Sequence, residues 1–406
     1  MTRKRNVHVG VALIVLVAAL GVGQTVLEKT AVAQGGAQAP MFEVDPLWPK
    51  PLPNHWVIGS TIGVWADAQD HVWVIHRAGT LAAGEVRITS DPPSGECCAP
   101  APPVLEFDQD GTLLRHWGGP GPGYDWPQSN HGIFIDHLAN VWIGGNGGGD
   151  SHVLKFTQDG TFLKQFGRPN ARLIAGTEAN PRYTGDSNDT ESYGRVAKIF
   201  VDANTNEAYL ADGYLNKRVA VLDGETGMMK RYWGAYANRP DDSDSARFDP
   251  DAAPPQQFGT PVHCADLAND GLVYVCDRPQ NRIQVFTREG EFVREKFIQN
   301  QPGYASAWDV AFSHDPEQRF LYLADATNAK VHILLRETLE ELTSFGDGGR
   351  QPGQFYGVHS IATDSQGNIF TTETFEGKRV QKFVYKGLGP VTSPNQGVVW
   401  PTGAAQ

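Results

Sequence analysis

The chain has 406 residues and a formal net charge of -12. That acidic balance, without a long basic run or a basic helix, excludes nucleic acid and anionic membrane surfaces as partners and favours a small-molecule or peptide substrate. The length suits one large all-β domain or two ordinary ones.

Residues 1–33 read as a secretory signal peptide. Arg3, Lys4 and Arg5 precede an apolar run from Val7 to Val22, and the small-residue sequence Ala31-Val32-Ala33 follows. The apolar run is short against the roughly 20 residues of a membrane span. Cleavage after Ala33 is therefore expected, releasing a periplasmic or secreted protein with no remaining membrane segment. Retention as an uncleaved anchor is the competing reading.

Residues 42–388 repeat one unit six times. Each copy has an apolar strand, a tight polar turn, a second apolar strand, a loop, an alternating third strand and a hairpin. The second strands read HVWVIHR, NVWIGGN, EAYLADG, LVYVCDR, FLYLADA and NIFTTET. Their β-branched and aromatic residues alternate with period two, as strands do. The third strands end in turns such as Asp110-Gly111, Asp159-Gly160 and Glu289-Gly290. A single unit cannot bury both faces, but six in a ring can, which predicts a six-bladed β-propeller. The pattern resembles the NHL-type repeat. Either residues 42–47 or residues 398–400 supply the closing strand, and residues 389–406 otherwise read as a C-terminal tail.

Four cysteines in an exported chain allow disulfides without fixing them. Cys97 and Cys98 are adjacent in a Pro-rich loop. Cys264 and Cys276 fall on strands expected to pair, where a cross-strand bridge and two buried thiols are both open.

The long insertions, residues 78–103, 118–130, 168–194 and 237–259, leave second strands or enter first strands, whereas the other turns are short. In a four-stranded blade those connections share one face, so the insertions gather on one rim, as a covered binding site requires.

His131, His263 and His359 open the first strands of blades two, four and six in the same register, with equal separations to Val141, Val273 and Ile369. Alternate blades of a six-fold ring surround a three-fold axis, so three imidazoles converge on the loop-rich face around one ion. Neutral imidazoles suit zinc, with copper, iron and nickel also compatible. Ile62, Ala197 and Trp308 hold the equivalent positions of the odd-numbered blades. Arg77 and Tyr214 end second strands on the same face. Arginine can hold a carboxylate through two hydrogen bonds, and a phenol beside a cation and a metal can act as a base.

These residues resemble the peptidyl-alpha-hydroxyglycine alpha-amidating lyases, six-bladed NHL-type propellers with catalytic zinc. The likeness spans nearly the whole propeller: His131 in NHG, His263 in PVHC, His359 in GVHS, His76-Arg77 in VIHR, Tyr214 in DGYLNKR and the sequence DRPQNRIQVF from Asp277 to Phe286. The resemblance implies zinc on the three histidines, catalytic roles for Arg77 and Tyr214, and substrate contacts from Arg77 and Arg282. It also implies cleavage of a C–N bond at a C-terminal α-hydroxyglycine to give an amide and glyoxylate. A structural calcium would be held by the backbone carbonyls of Val64 and Ile133 and by an aspartate after the last histidine. Here Ser360 takes that place, a weaker ligand for a hard cation. The family's cysteine beside the tyrosine is Leu215. Two other readings remain: a different histidine-metal enzyme on the same propeller, such as a lactone or ester hydrolase, and a non-catalytic propeller that binds peptides or proteins.

Overall fold

A computed structural model describes residues 36–177, 179–243, 247–298 and 305–401; the expected signal peptide lies outside them. Six four-stranded sheets form among the described residues. Their innermost strands are Ser60–Ala66, Asn130–Ile135, Val196–Asp202, Val262–Leu267, Asp309–Phe312 and Val358–Thr363. Each packs against the next, and the sixth packs against the first, so the ring is closed. The fold is an all-β, six-bladed β-propeller. All the inner strands are largely buried because neighbouring blades cover both of their faces.

The N-terminal strand closes the ring. Gln38–Asp45 pairs antiparallel with Val380–Pro390 as the outermost strand of blade six. Phe42 is its anchor, buried against Tyr322, Phe345 and Tyr385. The segment expected as a tail differs from that expectation. Residues 389 and 390 belong to the blade-six strand, and residues 391–401 dock on blade five, where Ser344 N–H donates to Pro394 O (3.0 Å) and Gly346 N–H to Gly397 O (2.8 Å). Val399 O accepts from Val44 N–H at 2.7 Å. An otherwise open edge of strand Glu341–Phe345 thereby gains backbone partners. Cys264 and Cys276 are cross-strand neighbours and form a disulfide, as do Cys97 and Cys98.

One polar device repeats between blades and holds the rim loops. Arg218 Nε donates to Asp212 Oδ2 (2.8 Å), while Asp212 Oδ1 accepts Gly194 N–H (2.6 Å) from the loop entering blade three. Arg282 with Asp277 and Gly259, and Arg379 with Glu373 and Tyr356, repeat this arrangement in blades four and six. The arginine starts a third strand and the acid ends a second strand, so the pair clamps the loop that precedes each inner strand. In blade one His76 takes the acid's place, accepting Gly59 N–H at 3.1 Å. Burial lowers its pKa to about 4, so it remains the neutral acceptor this bond requires.

In blade five the arginine's register position is Lys330, and His332, two residues further along the strand, is the side chain that meets the acid. It lies between Asp325 Oδ2 (3.1 Å) and Glu341 Oε1 (2.7 Å). Burial opposes its charged form, but the two carboxylates outweigh burial and raise its pKa. The stability it contributes is therefore full below the ordinary histidine pKa of about 6.5 and is lost as pH rises through the raised folded value. His332→Asn is expected to lower unfolding stability by on the order of 3 kcal/mol at pH 6, with the deficit shrinking at pH 9. Urea melts of both proteins at the two pH values measure this difference.

Candidate metal centre

His131, His263 and His359 meet at the axis, each only 2 % exposed. Their ring centroids are 4.8 to 5.2 Å apart, and one ring nitrogen from each lies within 4.8 Å of the others. The opposite nitrogens are engaged outward. His131 Nδ1 lies 2.7 Å from Ala197 O, and His263 Nδ1 lies 2.5 Å from Trp308 O. His359 Nδ1 lies 3.1 Å from Ser360 Oγ, whose hydroxyl donates to Ile62 O at 3.0 Å. Carbonyl acceptors require Nδ1 to carry the proton, which leaves each Nε2 as a lone-pair donor toward the axis. Each ligand blade is thus oriented by the blade that follows it. Ile62, Ala197 and Trp308, which align with the histidines in the odd-numbered blades, supply the three carbonyls.

Two glycines make this packing feasible. Gly132 has φ +65°, and a Cβ there would stand 2.5 Å from Ala197 O, the acceptor of His131. A Cβ at Gly213 would stand 2.0 Å from Val262 O, so Gly213 lets Tyr214 approach the strand bearing His263. The motifs HG and DGY therefore record close backbone approaches between blades.

Burial holds all three imidazoles well below the ordinary histidine pKa. Arg77 reinforces this at His131, Arg278 at His263, and the neighbouring histidines at His359. A buried set of neutral, convergent imidazoles with fixed tautomers fits a borderline ion such as zinc. The same residues do not fit the expected calcium. Val64 and Ile133 line a small cavity of about 10 Å³ beneath the histidines, together with Ala197, Lys198, Asp309 and Ser360. Ser360 Oγ is committed to His359 and Ile62, and the Lys198 ammonium is held there by Asp309. A hard cation needs six to eight oxygens and would meet that fixed positive charge.

Tyr214 and Arg77 belong to this centre. The Tyr214 hydroxyl is 3.1 Å from His131 Nε2 and 3.0 Å from His263 Nε2. Arg77 is fixed by Asn130 O (3.1 Å) and Asn146 Oδ1 (2.8 Å). Its burial lowers its pKa, while Tyr214 and Asp150 act in the opposite direction.

Arg282 does not reach the centre. It is fully buried between Asp277, Pro255 O and the Tyr236 hydroxyl, and it serves the repeated loop clamp. Arg278 holds the position assigned to it. Its guanidinium stacks on Trp308, 4.2 Å from the ring centroid, and Nη1 lies 3.4 Å from the Tyr214 hydroxyl. Its Nε is buried without a hydrogen-bond partner in the structure. The signal was present in sequence: Arg218, Arg282 and Arg379 each follow an acid by five or six positions at a third-strand start, which marks Arg282 as part of the repeat.

No protein-family model matches the chain. NHL repeat-containing protein 3 of Mus musculus is 26% identical over 313 residues, which cover 73% of this chain and 70% of that protein. Peptidyl-glycine alpha-amidating monooxygenase B of Xenopus laevis is 25% identical over 166 residues, 41% of this chain but only 16% of that protein. Among solved structures, a streptogramin B lyase aligns over 87% of this chain and 99% of its own, with TM-score 0.48 and 12% identity. A catalytically inactive virginiamycin B lyase from Staphylococcus aureus with quinupristin aligns over 84% and 99%, with TM-score 0.49 and 14% identity.

Ser360→Ala removes the bridge between His359 and Ile62. Removal of such an outer partner is expected to weaken any binding of zinc at the three histidines by about 10- to 100-fold while leaving the circular dichroism spectrum unchanged. Competition with a chromophoric chelator measures the change.

Proposed function

We propose that the protein is an exported, metal-dependent lyase that cleaves the C–N bond of an α-hydroxyglycine-like group, releasing an amide and glyoxylate. The observation that carries this reading is the Tyr214 hydroxyl at hydrogen-bond distance from two histidine Nε2 atoms, with Arg278 beside it. Such a substrate has a carboxylate, a hydroxyl and an amide on one carbon, and the candidate site offers complementary groups for each.

A zinc ion held by His131, His263 and His359 would supply Lewis acidity to a bound hydroxyl. In its deprotonated form Tyr214 is placed to take the hydroxyl proton, because its oxygen faces the point where the histidine nitrogens converge. Arg278, with an unpaired Nε, and Arg77, with donors beyond the two that anchor it, can hold the carboxylate. As the hydroxyl oxygen closes to the carbonyl of glyoxylate, the C–N bond breaks. The leaving amide nitrogen then receives that hydroxyl proton from Tyr214, which returns to tyrosinate, so the reaction needs no oxidant, reductant or added water. The partial match to an amidating monooxygenase supports this substrate class, as does the resemblance of the sequence motifs around Arg77, His131, Tyr214, His263 and His359 to those of the amidating lyases.

Export is part of the proposal. The N-terminal basic and apolar segments support it, and two disulfides fit an oxidising compartment. The acidic chain is read as acting on a small or peptidic substrate, with neither nucleic acid nor membrane as partner.

Metal analysis combined with glyoxylate release from an α-hydroxyglycine peptide tests this reading. Wild type should hold one zinc and release glyoxylate. Tyr214→Phe should keep its zinc and lose roughly 10²- to 10⁴-fold in kcat, Arg278→Ala should mainly raise KM, and His263→Ala should lose the metal. Bound zinc without glyoxylate release would retain the centre and reject the substrate.

A further inference from the structure

Beneath the three histidines the central channel contains a buried ion cluster that the proposed chemistry does not use. Lys198, on the inner strand of blade three, donates to Asp266 Oδ2 of blade four (3.0 Å), Asp309 Oδ1 of blade five (2.5 Å) and Val310 O (3.4 Å). Its side chain is 7 % exposed and those of the acids 4 % and 2 %. Burial disfavours the ammonium, but the two carboxylates more than offset it and raise the lysine pKa, while burial raises both acids, Asp266 to about 7; the short contacts of Nζ to an oxygen of each acid are those of one ammonium shared between them. Lys198 and Asp309 line the small cavity under the histidines, whereas Asp266 lines the larger cavity of about 710 Å³ at the opposite mouth. The cluster is the floor between them.

Two members of that floor, Lys198 and Asp309, adjoin groups that orient histidines. Lys198 follows Ala197, the acceptor of His131. Asp309 follows Trp308, the acceptor of His263. Asp309 Oδ2 also accepts the N–H of Ile361 at 3.1 Å, two residues beyond His359. Four neighbouring inner strands are therefore tied to one buried cation. Lone carboxylates at this depth would repel one another and need a positive charge between them.

We propose that the Lys198 ammonium takes the structural place of a divalent cation in the channel, tying together Asp266, Asp309 and the segments whose carbonyls orient His131 and His263. Lys198 is a positioning residue, and this role is independent of the substrate. The ammonium donates three hydrogen bonds of fixed direction and cannot be chelated away. The centre above should then be insensitive to calcium.

Two measurements on the full chain test this. Wild type should show the same thermal midpoint in EGTA and in millimolar calcium, and no saturable terbium luminescence. Lys198→Ala should melt at lower temperature in EGTA, bind cobalt(II) at the histidines about 10- to 100-fold more weakly with altered visible bands, and recover both properties when calcium is added. Calcium stabilisation of wild type, a Lys198→Ala protein equal to wild type in EGTA, or a loss that calcium does not restore would each overturn the proposal. If Lys198→Ala does not fold in EGTA, folding in calcium supports the proposal and failure in both opposes it. Should the histidines hold no metal, the calcium melts still decide the question, so this outcome is separable from that of the lyase assay.

Discussion

Everything at the site depends on turning three imidazoles inward at the same time. A ring that swings freely offers either nitrogen, and three such rings packed within 5.2 Å of one another would not present a common donor set. The propeller removes that freedom by giving each Nδ1 an acceptor from the next blade: Ala197 O, Trp308 O, and Ile62 O through Ser360. Because the acceptors are backbone atoms in inner strands or, for Trp308, immediately before one, ring closure and ligand orientation are one constraint. Anchoring by the N-terminal strand Gln38–Asp45 therefore bears on the chemistry at the axis, although that strand lies at the outer edge of blade six.

Charge is layered along the channel. Arg77 and Arg278 approach the histidines from the loop-rich side and add to burial in keeping them neutral. Lys198 lies below, its charge answered by Asp266 and Asp309. The site is thus cationic on the loop-rich side of the histidines and charge-compensated beneath them. The arginine–acid clamps at Asp212, Asp277 and Glu373 hold the loops over it. Without those pairs the entering loops would lose the acceptors for Gly194, Gly259 and Tyr356, and the rim would lose its shape.

Much of this was legible in the order of residues. Period-two runs separated by tight turns disclosed six blades, and three histidines in register disclosed the axis. HG and DGY marked His131 and Tyr214, and their glycines prove to be points where two backbones nearly touch. Arg282 was misread because a shared motif names residues without their direction. Arg278 and Arg282 are four positions apart on either side of a tight turn, and only one faces the centre. The described part of the segment expected as a C-terminal tail likewise differs, because its backbone carbonyls complete the edge of blade five.

By itself, the sequence determined the repeat, the ring and the residue types at its axis, since strand periodicity and register are local properties that spacing records. The tertiary structure decided which atoms meet: the carbonyls behind His131 and His263, the bridging role of Ser360, the approach of Arg278 and the placement of Lys198 between two acids. Those contacts join residues 45 to 298 positions apart on different blades. They depend on the rotation between adjacent sheets, which no spacing along one strand encodes.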